Sequence, residues 1–184
     1  FSLTDSPQLG DPNALITLVV YADYNCPHCR VFDPKITGIV RAEEDVRLVY
    51  KFFPLDSICN PYMSASQRST SCAAAAAAYV AHQEGKFWEY IEMLFANFQQ
   101  YDPDQLVEYG RRVGLSNPER VRSALNEIVV LAKIHTDIAE AVEAGLRSTP
   151  TLYINGRMFM SHMVPPGRDQ FSVIRSLLDE ARGG

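Results

Sequence analysis

The run "LITLVVYADY" (15–24) passes directly into "NCPHCR" (25–30), and this junction constrains the chain more than any other stretch. Its first part is apolar, β-branched and aromatic, as a buried strand requires. Pro27 then stands where a first helical turn begins, a place that suits proline because its missing N–H has no partner there. Val31, Phe32, Ile36, Ile39 and Val40 follow at helical spacing, and Pro34 within that run is expected to kink it. Cys26 and Cys29, three positions apart, therefore share one face of a helix start, within the Cα separation a disulfide tolerates. Free N–H groups and the macrodipole at a helix start stabilise an anion. The thiolate is the nucleophilic form of cysteine, so Cys26 is the candidate reactive sulfur. Cys29, a turn further in, is the candidate buried resolving thiol. His28 between them is placed to add positive charge or a hydrogen bond at Cys26.

"VRLVYKFFP" (46–54) reads as a second buried strand, which completes a βαβ unit with the CxxC at the strand-to-helix junction. From about Met63 to Gly145 the pattern turns helical. "CAAAAAAYVAHQ" has high helix propensity, Gly85 breaks it, and "KFWEYIEMLFANF" supplies another apolar face. Asp102-Pro103 and Asn117-Pro118 each read as an N-cap followed by proline at the first helical position. "TPTLYINGRMFM" (149–160) gives two strands around Asn155-Gly156, a strong hairpin signal, and "RDQFSVIRSLLDEAR" closes the chain as an amphipathic helix. The expected division is 1–62, an inserted helical subdomain over 63–145, and 146–184. The double proline of "SHMVPPGRDQ" is expected to shape a groove rim.

A chain of 184 residues with 47% hydrophobic content has material for one core and an inserted subdomain. The net charge of −5 is mixed along the chain, which argues against nucleic acid or an anionic membrane surface as partner. No apolar run approaches the roughly 18 residues of a membrane span. No charged leader precedes an apolar stretch, and Phe1 at the first position leads to the expectation of a processed or excised fragment whose targeting or anchoring segment lies elsewhere. Four cysteines allow three pairings, and two disulfides would point to an oxidising compartment. Zinc fits poorly, because twelve residues stand between Cys59 and Cys72 where a zinc knuckle has two to four. His82, His135 and His162 have no spacing that suggests a metal, and no cofactor is expected. A purely structural bridge across 26–29 would close too small a loop to stabilise much.

The strand–CPHC–helix start, the helical insert and the late "STPTLYING" together resemble the DsbA family of thioredoxin-fold thiol–disulfide oxidoreductases, over nearly the whole chain. The resemblance implies an α/β thioredoxin fold in the order β-α-β, helical insert, β-β-α. It implies that Cys26 exchanges with substrate sulfur and Cys29 resolves the mixed disulfide. It also implies that Pro150 is cis and faces the disulfide, with Thr149 offering backbone groups to an extended substrate. Pro27-His28 resembles the strongly oxidising members, which implies donation of disulfides. Cys59 and Cys72 resemble an extra disulfide of DsbA-like domains fused to or partnered with vitamin K epoxide reductase-type membrane proteins. A loop of that size contributes about 3 kcal/mol, and an electron-relay pair is the rival reading. Asp23 and Lys51, near strand ends under the CxxC, are candidates to relay a proton to Cys29.

The expected protein is thus an extracytoplasmic monomer that oxidises reduced cysteine-containing proteins. A membrane quinone-linked reoxidase of the vitamin K epoxide reductase or DsbB type would recharge it, as a separate protein or within one longer chain. The alternatives are a reductase or isomerase, although isomerases of this fold usually need a dimerisation segment, and a non-catalytic peptide-binding or chaperone domain. A glutathione-transferase-like enzyme is a further option, against which the CxxC counts.

Overall fold

The two apolar runs become the central strands. The computed structural model describes residues 1–65, 70–99, 101–159 and 164–183. After a short β1 (Gln8–Leu9), β2 (Ile16–Ala22) is buried at every position but Thr17, and β3 (Val46–Phe52) at every position but Arg47. Strands covered on both faces have no polar side to alternate, hence their continuous apolar sequences. β2 and β3 run the same way. The Ile16 N–H donates to the Asp45 carbonyl near their starts, at 2.9 Å, and the Phe53 N–H to the Ala22 carbonyl at their ends, at 3.0 Å. β2 stops at Ala22, two residues short of the expected boundary, because the Cys26 N–H donates to the Asp23 carbonyl and turns the chain there.

The chain divides into two compact units, the first made of Phe1–Tyr21, Val31–Lys51 and Pro150–Gly184, the second of Ala22–Arg30 and Phe52–Thr149. In the first, β4 (Thr151–Ile154) and β5 (Arg157–Phe159) complete, among the described residues, a five-stranded sheet of order β1-β3-β2-β4-β5. β1–β3, β2–β4 and β4–β5 are antiparallel. β1 escaped the sequence reading because two residues carry no periodicity. The Asn155-Gly156 hairpin forms as expected. Asn155 takes a left-handed backbone (φ 46°), its side-chain carbonyl accepts the Thr17 N–H at 2.8 Å, and its own N–H donates to the Thr17 carbonyl at 2.9 Å. α1 (Pro27–Ala42) continues through Pro34 and buries Phe32, Ile36, Ile39 and Val40. In this unit the Phe32 ring lies 5.3 Å from that of Phe171 on the last helix, whose N-cap Asp169 accepts the Ser172 N–H.

The second unit holds the helical segment: α2 (Ser71–Gln83), α3 (Phe87–Ala96), α4 (Pro103–Val113), α5 (Arg120–Ser123) and α6 (Ile128–Glu143). The last helix of the chain, in the first unit, is α7 (Gln170–Arg182). The alanines of α2 at 74–78 are all buried, and the helix touches α3, α4, α5 and α6. Gly85 (φ 69°) and Gly145 (φ 78°) follow the ends of α2 and α6 in the left-handed region that glycine adopts without a Cβ clash. Asp102 caps α4 as expected, accepting from the Asp104 and Gln105 amides, with Pro103 at the first helical position. Asn117-Pro118 does not cap a helix. Arg120 N–H bonds to the Asn117 carbonyl and Val121 N–H to that of Pro118, so a tight turn precedes α5, which begins at Arg120. A helix four residues long offered no periodicity to place its start.

Two cross-links tie this unit together. Cys59 and Cys72 form a disulfide with their Cα atoms 5.8 Å apart. On α6, Lys133 Nζ lies 2.7 Å from one oxygen of the fully buried Asp137, whose other oxygen accepts the Phe52 N–H at 3.1 Å. Removing one partner of a buried ion pair leaves an uncompensated charge. Asp137→Ala is therefore expected to lower unfolding stability by about 3–5 kcal/mol in urea titration, well beyond the loss of one hydrogen bond.

Candidate redox site

Between the end of β2 and the start of α1 the chain makes a turn held by one carboxylate. The Asn25 N–H donates to Asp23 Oδ1 at 2.7 Å, and the Cys26 N–H to the Asp23 carbonyl at 3.1 Å. Cys26 is left at the N-terminus of α1, one residue before Pro27. Pro27 and His28 are exposed, while Cys26 and Cys29 are buried and unbridged. Behind the turn, Tyr24 packs its ring 5.7 Å from Phe95, 6.3 Å from Phe52 and 6.4 Å from Phe87. The Tyr101 hydroxyl lies 2.9 Å from the Tyr24 carbonyl and 2.7 Å from that of Leu94, sharing its one hydrogen between them.

The two sulfurs are electrostatically unlike. The Cys29 thiol donates to the Cys26 sulfur, and with the Cys29 and His28 amides it outweighs the cost of burial, bringing Cys26 down to about 5. Burial pushes Cys29 well above the usual thiol range, and its hydrogen bond to Cys26 and the nearby thiolate push it further. His28 thus acts on Cys26 through its backbone. When protonated, Cys26 donates to the Thr149 carbonyl at 3.5 Å. Pro150 is the next residue and half-buried, and β4 begins directly after it.

Asp23 is almost wholly buried beneath this turn. Its Oδ2 accepts the Leu55 N–H at 2.8 Å, and the Ser71 hydroxyl stands 2.9 and 3.0 Å from its two oxygens. Burial raises its pKa to about 6 against the lowering effect of these donors, and repulsion from Cys26 adds to the rise. Lys51, the other candidate relay residue, is fully buried in β3, in the first unit. The sequence reading missed Ser71, Tyr101 and the Leu55 amide. Ser71 is 48 positions from Asp23 and resembles any serine at a helix start, so no local signal marks it.

The remaining candidates stand apart. His82 stacks near Tyr79 and Phe87, with ring centroids 6.0 and 6.2 Å away, and His135 is exposed. His162, with Ser161 and Met163 of the "SHMVPPGRDQ" segment, lies outside the described residues. Among the described residues no three His, Cys, Asp or Glu side chains gather as metal ligands.

A dithiol with one sulfur that favours the thiolate and one buried thiol, at a strand-to-helix junction, has the chemistry that thiol–disulfide exchange needs. The chain belongs to the thioredoxin family, whose model matches residues 2–171. It is similar to a thioredoxin-like oxidoreductase from Silicibacter pomeroyi, at 28% identity and a TM-score of 0.77 over 98% of this chain and 94% of that one. BdbD from Bacillus subtilis superposes with a TM-score of 0.81 at 21% identity, over 100% of this chain and 96% of that one, a likeness of fold. The Na(+)/H(+) antiporter NhaA 3 of Salinispora tropica is 31% identical over 80% of this chain, which spans 21% of the antiporter's length.

In the reduced protein the thiolate absorbance near 240 nm is expected to titrate with a midpoint of about 5, and to vanish in Cys26→Ser. The linkage has opposite signs at the two acids. Cys26, depressed on folding, adds stability above the unfolded thiol value of about 8.5 that is lost as pH falls through about 5. Asp23, raised on folding, favours the fold below the unfolded carboxylate value of about 4 and loses that contribution as pH rises through about 6.

Proposed function

We propose that this chain is a thiol–disulfide oxidoreductase that donates disulfides to reduced cysteine-containing proteins through Cys26 and Cys29. The observation that carries the direction is the stabilised Cys26 thiolate. A dithiol whose reduced form is held as a thiolate gives up its disulfide readily, since reduction forms that thiolate and gains its stabilisation.

In the proposed reaction a substrate thiolate attacks Cys26 Sγ of the 26–29 disulfide. The Cys26–Cys29 bond breaks, a Cys26–substrate bond forms, and the electron pair leaves on Cys29. A proton taken up by Cys29 completes the step, and Asp23, titrating near neutrality beneath the turn, is the proposed reservoir for it. A second substrate thiolate then attacks its own mixed-disulfide sulfur, the substrate disulfide forms, and Cys26 departs as thiolate. The protein leaves reduced by two electrons and the substrate oxidised by two. The Thr149 carbonyl faces Cys26, which supports Thr149-Pro150, with Pro150 cis, as the place where substrate backbone docks.

The Cys59–Cys72 disulfide supports work in an oxidising, extracytoplasmic compartment, because reducing cytosols rarely keep such bridges closed. Among the described residues no helix is long and apolar enough to cross a membrane. The proposed reoxidant is a membrane quinone-linked protein of the vitamin K epoxide reductase or DsbB type, acting on a monomer. The match to about a fifth of an antiporter chain supports the idea that domains of this kind occur within longer membrane proteins.

Equilibration of the 26–29 pair with glutathione is expected to give a potential between about −180 and −120 mV, and Cys29→Ala is expected to accumulate Cys26-linked substrate on non-reducing gels. A potential near the thioredoxin value of about −270 mV would make the protein a reductase, and an unreactive pair would make it a peptide-binding domain.

A further inference from the structure

The Asp23 carboxylate is held by two segments that the second disulfide joins. One carries Leu55 and Asp56 before Cys59, the other Thr70 and Ser71 before Cys72. Asp56 is fully buried, and its carboxylate faces the Cys72 amide at 3.4 Å and accepts the Ile58 N–H at 3.1 Å, fixing one segment against the other. Thr70 adopts a left-handed backbone (φ 73°), which a β-branched residue takes only where its surroundings impose it. Its hydroxyl accepts from the Asn25 side-chain Nδ2 at 3.4 Å. The residues next to Cys72 therefore meet the residues next to Cys26 at two points, Thr70 with Asn25 and Ser71 with Asp23.

We propose that Ser71 is a positioning residue for the Cys26–Cys29 pair: pinned beside the Cys59–Cys72 bridge, its hydroxyl holds the Asp23 carboxylate ionised near the Cys26 sulfur, so that the second bridge sets the pH at which the first changes its oxidising strength. This rests on the oxidoreductase reading above. Among the described residues the titratable groups around Asp23 are Cys26, Cys29, which meets its backbone, and Tyr101 from the segment before α4, with Arg30 felt at Tyr101. In the reduced protein an ionised Asp23 and the Cys26 thiolate repel each other. In the oxidised protein Cys26 carries no charge and the repulsion is gone. The reduced form is therefore penalised only above the Asp23 titration, and the pair becomes a weaker oxidant as pH rises through it. Loss of the Ser71 donor favours the neutral acid and moves this change upward in pH.

The test follows the Asp23 carboxyl carbon by NMR in the reduced protein, together with the glutathione equilibrium of the 26–29 pair from pH 5 to 8. Loss of a donor to a buried carboxylate is expected to raise the Asp23 midpoint in Ser71→Ala by about one pH unit, a tenfold change in its ionisation constant. Cys59→Ala/Cys72→Ala is expected to move it in the same direction, and Ser71→Ala alone decides the role of Ser71 if that variant does not fold. The break in the glutathione equilibrium is expected to move with the carboxyl midpoint in Ser71→Ala. It should be absent in Asp23→Asn, where adding Ser71→Ala changes nothing further. An Asp23 midpoint unmoved in Ser71→Ala overturns the proposal, as does an effect of Ser71→Ala that survives in Asp23→Asn. A folded bridge variant with the native midpoint removes the bridge from it. The carboxyl titration needs no thiol exchange, so a pair that fails to equilibrate with glutathione overturns the oxidoreductase reading and leaves the coupling to be judged by NMR.

Discussion

The hydrogen bonds that Cys29 and the first amides of α1 direct at the Cys26 sulfur separate two thiols that would otherwise ionise together. Helix geometry supplies the donors, since the first amides of α1 have no carbonyl partner of their own. Burial supplies the asymmetry, because Cys29, one turn deeper, meets the full cost of charging an enclosed sulfur while Cys26 is compensated. The turn that sets this geometry depends in its own right on Asp23, whose carbonyl and carboxylate receive the Cys26 and Asn25 amides. An aromatic layer of Tyr24, Phe52, Phe87 and Phe95 backs the turn.

Charge buried in the second unit follows one pattern. Asp23 is enclosed with three donors, the Asn25 and Leu55 N–H groups and the Ser71 hydroxyl, and Asp137 with Lys133 and the Phe52 amide. The two differ in what they leave behind. Asp137 is matched by a cation on its own helix, so the pair is neutral as a unit. Among the described residues the donors to the Asp23 carboxylate are neutral, and its titration is displaced towards neutrality. An acid held by dipoles in a buried site still feels the charge of its neighbours, here the Cys26 sulfur.

Local patterns announce local structure in this sequence, and the strand-to-helix junction at Cys26, the Asn155-Gly156 hairpin and the Asp102-Pro103 cap were readable because each is settled within a few residues. β1 was not, since two residues show no alternation. The start of α5 was misplaced because successive tight-turn hydrogen bonds at Asn117 and Pro118 imitate a cap without continuing as a helix. At the candidate site, Cys26, Cys29 and Asp23 could be named from spacing and strand position. Ser71 and Tyr101 could not, because they reach the site only after α2 and the segment before α4 have packed, and neither side chain differs locally from an ordinary helix-start serine or core tyrosine.

The run of buried alanines in α2 has a consequence for how that helix finds its place. A cylinder studded only with methyl groups looks much the same after rotation about its axis, so neighbouring helices specify its depth better than its azimuth. Its orientation must then be fixed at the ends. Tyr79, packed on Phe52, keys the C-terminal half, and at the N-terminus the keys are the sulfur of Cys72 and the hydroxyl of Ser71. The bridge and the carboxylate act as an index mark on an otherwise featureless rotor, and the helix carries that angular setting into the packing of α3 to α6 around it.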